Sequence, residues 1–140
     1  MYDLKKFLDA QETDYKIALA EIKRGRKISH WIWYVFPQLK ALGRSGRAQF
    51  YGIENLDEAR EYLQNKILRE RLLEISGALL ELENNDIGYI MGSSIDKIKL
   101  QSSMTLFHLA EPTCETFTKV IEKYFGGQFD EMTVNLCKAD

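Results

Sequence analysis

Residues Lys27 to Leu39 read KISHWIWYVFPQL, and the six positions from Trp31 to Phe36 are all bulky and apolar or aromatic. Pro37 closes the run, because a residue ahead of a proline is pushed out of the helical region. Ser29 is an N-cap residue type, so the spacing predicts a short helix over about residues 30–36. A surface helix keeps a polar face, and this one has none. A helix apolar all round belongs in a core or in a membrane. No stretch of the chain approaches the roughly 20 consecutive apolar residues that a span needs. The rings are therefore expected to form a buried central strut rather than an exposed stacking platform.

The remaining periodicity supplies helices to surround it. Tyr15, Ala18, Leu19 and Ile22 repeat at helical spacing after Leu4 and Phe7, and Gly25 is a suitable stop. Asn55, followed three residues later by Glu58, opens a long helical unit that runs to about Glu83. The Ser93–Asp96 pair caps a further helix that ends before Pro112. CETFTKVIEKYFGG is amphipathic and stops at its glycine pair, and DEMTVNLCKA gives a last short helix. No strand alternation competes, and neither a linker nor a repeat breaks the chain. The expectation is an all-α, compact multihelical single domain over residues 1–140.

A chain of 140 residues with 45% hydrophobic and 29% charged content is ordinary for a globular domain. The first residues lack the apolar core and cleavage site of a signal peptide, so a cytoplasmic protein is expected. Cys114 and Cys137 show neither a paired C-x-x-C nor a zinc spacing. Net charge is −2, yet residues 22–53 contain no acid and seven cations. Such asymmetry points to an anionic partner, unless folding interleaves the cations with distant carboxylates. The low sequence pI of 5.8 argues against a dedicated nucleic-acid binder, which is basic overall.

Two segments carry the candidate chemistry. Lys27, Ser29 and His30 precede the aromatic helix and Gln38 follows it, so its N-terminus is a place for an anion. His30, one of two histidines, is the acid–base candidate by residue type, although a hydrogen-bonded histidine at a helix end is the plainer reading. On the later helix, Lys97, Gln101 and His108, with Met104 beside them, form the expected solvent arc. Lys99, Ser102 and Ser103 then point inward or into a cleft. A buried lysine needs a partner, so Lys99 is either half of a structural ion pair or an ammonium for a ligand. Arg44, Ser45 and Arg47, between two glycines, form an alternative anion site, with Ser45 placed to cap a short helix. No phosphate-loop, dinucleotide, calcium or zinc-protease motif is present, so no metal and no cofactor are expected.

The blocks LKKFLDAQ, GRKISHWIWYVFPQL, DKIKLQSSMTLF and YFGGQFDEMT, in this order, resemble a family of uncharacterised, mostly bacterial multihelical domains. Some members carry the label calpastatin. The resemblance implies one helical domain with a short buried central helix and no established reaction. Calpastatin-type inhibition does not transfer, because that inhibitor is a long disordered chain, whereas this sequence is aromatic and poor in proline.

Three functions compete. In the first, Lys27, Ser29 and His30 meet Lys99, Ser102 and Ser103 across a cleft walled by Trp31 or Trp33, and hold a small anionic or nucleotide-like ligand. Were it an enzyme, His30 would move the proton and Lys99 would stabilise charge. In the second, the basic residues 23–47 dock an acidic protein or a nucleic acid. In the third, both polar-aromatic blocks only hold the fold. The first is the leading expectation.

Overall fold

In the computed structural model, which describes residues 2–138, the aromatic block does form a helix, and a very short one. After α1 (Lys5–Lys23), α2 covers only Ile32–Val35. Trp31 rather than Ser29 holds its N-cap position, and no side chain caps it. Ser29 fails as the cap because its hydroxyl is committed to Glu21, as described below. Trp31, Ile32, Val35 and Phe36 are at most 2% exposed, so the strut is buried as its composition requires, while Trp33 reaches a surface cleft and is only half-buried.

The segment after Pro37 is held by backbone pairing. Ile53 N donates to Gln38 O at 2.9 Å and Lys40 N donates to Ile53 O at 2.8 Å, making an isolated parallel bridge between Leu39 and Ile53. Between these anchors lie a 3₁₀ turn (Lys40–Leu42) and α3 (Gly46–Phe50). Ser45 caps α3 as expected, accepting from Ala48 N at 3.1 Å. Gly52 is required here: a Cβ on it would stand 2.4 Å from Lys40 Cα.

The long unit expected from Asn55 to Glu83 is two helices, α4 (Leu56–Gln64) and α5 (Lys66–Leu80). Asn65 separates them by leaving the helical region at ψ 117° and using its side chain to accept from Leu68 N. The chain continues through α6 (Ile87–Met91), α7 (Ser94–Ala110), α8 (Glu115–Phe125) and α9 (Glu131–Lys138). Ser93 caps α7 through Asp96 N at 3.1 Å. Nine α-helices and no strand are thus present among the described residues.

Helix α7 is the hub, packed against α2, α4, α6, α8 and α9, while α1 lies on α5 and α2. Aromatic rings join these layers. Phe7 of α1 meets Tyr62 of α4 edge-on at 5.2 Å, Tyr62 meets Phe107 of α7 at 5.1 Å, and Phe107 meets Phe117 of α8 at 6.0 Å. All four are fully buried, and such rings contribute both area and specific pair geometry. The expected solvent arc of α7 needs correction: Met104 has no exposure, whereas Ile95 and Ile98 are 65% and 56% exposed. The aromatic spine rotates the helix so that Leu100, Met104 and Phe107 face inward.

Candidate functional site

The residues ahead of α2 close on a carboxylate that sequence reading did not single out. Glu21, in the last turn of α1 and 3% exposed, accepts from Ile28 N at 2.8 Å, Ser29 N at 2.9 Å and Ser29 Oγ at 2.6 Å. It also accepts from Trp31 Nε1 at 3.0 Å. Burial alone would raise this carboxyl, but the donors at Ser29, Ile28 and Trp31 outweigh it and hold it down at about 2. The available signal was its register: Glu21 lies three residues after Ala18 and next to Ile22, on the inner side of α1.

Lys27 is also consumed by the fold. Its side chain is 5% exposed, and Nζ stands 2.9 Å from Asp96 Oδ2, donates to Ser29 O at 2.6 Å and lies 4.9 Å from the Trp31 ring centre. Lys27, Ser29 and Trp31 therefore form a buried joint between α1, α2 and the start of α7. His30 is exposed; its carbonyl accepts from Tyr34 Oη at 3.2 Å.

The other candidates do converge. A groove of about 340 Å³ is lined by Gln38, Ala41, Leu42 and Arg44 on one wall. Ile95, Ile98, Lys99 and Ser102 of α7 form the second wall, and Asp130 and Met132 the third. Gln38 and Lys99 also line a small recess beside it, together with Trp33, Phe36 and Tyr51. His30 lines neither, so the structure does not bring it to Lys99. Ser103, one position past the groove, has no exposure, and its hydroxyl is buried without a partner among the described residues.

Lys99 is the central charge. Its nearest carboxylate oxygen is Asp96 Oδ1 at 4.0 Å, while the other oxygen of that group holds Lys27. One carboxylate thus faces two ammonium groups and favours the buried one. Lys99 Nζ lies 5.3 Å from the Trp33 ring centre, and the Arg47 guanidinium lies 5.0 Å from the same ring. Trp33 Nε1 is buried and has no acceptor among the described residues. Arg44 is exposed and has neither ion pair nor hydrogen bond there. Ser102 Oγ donates to Asp130 Oδ2 at 3.2 Å, which ties α7 to the start of α9. Ser45 is occupied as the α3 cap.

Sequence reading missed Ile95, Ile98, Asp130 and Met132. The first two carry a signal: they repeat at i, i+3 on a helix whose inner face is already served by Leu100, Met104 and Phe107. Among the described residues, no three His, Cys, Asp or Glu side chains are grouped to hold a metal ion. No helix there is long and apolar enough to cross a membrane.

The blocks that build this groove and joint are those of a known family, and residues 1–137 match the family model described as a protein of unknown function (DUF1810). The chain belongs to the DUF1810 family. A DUF1810-like fold is also seen in the crystal structure of the conserved hypothetical protein Rv1873 from Mycobacterium tuberculosis. That protein is 43% identical, with a TM-score of 0.94 over 98% of this chain and 97% of its own. Among curated proteins none matches this DUF1810 chain.

Proposed function

We propose that this protein binds a small anionic molecule in the groove between α7 and residues 38–44. One observation carries the reading: among the described residues the half-buried Lys99 ammonium has no carboxylate oxygen closer than 4.0 Å, and that oxygen belongs to Asp96, which Lys27 already holds at 2.9 Å. A cation in that position is poorly neutralised and stands where ligand atoms can reach it. Arg44 adds a second positive charge without a partner among the described residues, and Gln38 supplies an amide that can donate or accept. Trp33, whose indole N–H is buried with no acceptor among the described residues, lines the adjoining recess. A buried donor of this kind calls for an acceptor.

The groove lining contains no histidine or cysteine, so the reading concerns binding and assigns no reaction. The interaction-module alternative is weaker because folding spends much of the basic segment. Lys27 pairs with Asp96, Lys40 with Glu54 at 3.2 Å, Arg26 lies over Tyr89 and Arg47 over Trp33.

The test is thermal stabilisation by a panel of phosphates, nucleotides and carboxylates, measured for wild type, Lys99→Met and His30→Ala. A ligand at 100 times its dissociation constant stabilises by about 2.7 kcal/mol, a shift of several degrees. The shift is expected to be lost in Lys99→Met and kept in His30→Ala. A hit that survives Lys99→Met, or one lost only with His30, contradicts the assignment.

A further inference from the structure

The groove lining combines two cations and a carboxylate with exposed apolar side chains, and the two features together narrow the ligand. We infer that it is a singly charged carboxylate with an aliphatic or aryl body, not a nucleotide or a sugar phosphate; this rests on the groove reading above.

Charge is the first argument. Lys99 and Arg44 line the groove, and so does Asp130, leaving a net +1. Asp130 is fixed in place: its Oδ2 accepts from Ser102 Oγ at 3.2 Å, Thr133 N at 3.1 Å and Thr133 Oγ1 at 2.5 Å. A monoanion balances this set. A phosphate dianion or a polyphosphate brings more negative charge than this net +1 offsets and sets it near the Asp130 carboxylate, where like charges oppose each other.

The rim is the second argument. Ile95, Ile98 and Met132 are 65%, 56% and 63% exposed, yet all three stand on the groove lining, with Ala41 and Leu42 opposite. Ile95 and Ile98 are one turn apart and share a face of α7. Gln38 and Lys99 are shared with the Trp33 recess. A nucleoside or sugar would set hydroxyls against these side chains. An alkyl or aryl group covers them and gains from leaving water. The volume of about 340 Å³ sits at the small end of ligand sites, which run from about 300 to 1,000 Å³.

Isothermal titration calorimetry with acetate, butanoate, hexanoate and octanoate, alongside 1-octanol, inorganic phosphate and ATP, tests this directly. Affinity is expected to rise about fourfold for each methylene that enters the groove. Octanoate should bind at least about tenfold more tightly than 1-octanol, and that preference should vanish in Lys99→Met. Ile98→Asp, at an exposed position that folding tolerates, should weaken octanoate by about tenfold or more. A series flat in chain length, or 1-octanol equal to octanoate, overturns the inference. If phosphate or ATP binds in a Lys99-dependent way while the series is flat, the groove reading stands and the carboxylate class falls. If no anion binds, both fall.

Discussion

At the scale of single residues, three charged groups in one neighbourhood divide between two roles. Glu21 is structural: four donors converge on it and keep it ionised down to about pH 2, against an ordinary value of 4.5. Its folded pKa is depressed, so the stability it contributes is present above about pH 4.5 and is lost as pH falls toward 2. The shift corresponds to about 3 kcal/mol. Glu21→Gln should therefore cost about that much at pH 7 and flatten the acid limb of stability against pH; urea denaturation at pH 7 and pH 3 checks both. Lys27 is structural too. Lys27→Met leaves Asp96 facing only Lys99 at 4.0 Å, and breaking a buried pair from one side costs about 3 kcal/mol or more. Lys99→Met removes a longer, more exposed contact and should change stability by less than about 1 kcal/mol in the same assay. The contrast between two lysines on one carboxylate separates a residue the fold needs from one that stays available for a ligand under the proposed reading.

At the scale of elements, what could be read in the sequence depended on how local the cause was. Ser45, Asn55, Ser93 and the glycines after α8 act within three or four residues, and each did what its type predicts. Ser29 looked like a member of the same class, but a partner eight residues upstream in α1 claims its hydroxyl. Asn65 was hidden because the apolar pattern continues smoothly from Leu63 to Leu68 and only the backbone turns. On α7 only Met104 was misplaced: Lys97 is exposed as expected, whereas Met104, at the edge of the solvent arc, is drawn inside with Phe107, which packs on Tyr62. The groove wall from Gln38 to Arg44 depends on Gly52, whose missing side chain lets Lys40 pass. Gly52→Ala should destabilise by about 1–3 kcal/mol, because backbone rather than a flexible tip must move. Gly46→Ala, where an added Cβ meets nothing within 4 Å, is the control and should leave the melting temperature unchanged or slightly raised.

At the scale of the molecule, the all-α architecture was legible because helical periodicity repeats in every segment and a fully apolar short helix demands a shell. The candidate site was half legible. Lys99, Ser102, Gln38 and Arg44 meet in one groove, whereas Lys27, Ser29 and Trp31 form a joint around Glu21. The error has a plain source: the aromatic helix separates its own flanks, so Lys27 and Gln38 face different neighbours although both border the same block. The charge asymmetry divides in the same way. Within the cationic segment Lys27 pairs with the half-buried Asp96 and Lys40 with the exposed Glu54, while Arg44 lines the groove together with Lys99 from α7. The net charge of the whole chain concealed this.

The central claim is that an anion enters the groove beside Lys99 and Trp33, and the two tryptophans allow a direct measurement. The indole N–H groups of Trp31 and Trp33 give separate signals in a ¹⁵N-correlated NMR spectrum. Trp31 is locked to Glu21 at 3.0 Å, while Trp33 Nε1 has no acceptor among the described residues. Titration with octanoate should move the Trp33 indole signal together with the amides of Gln38, Arg44, Lys99 and Ser102, and leave the Trp31 indole in place. Shifts confined to the amides of Arg24 and Arg26, or a Trp33 signal unmoved at saturation, would contradict the account.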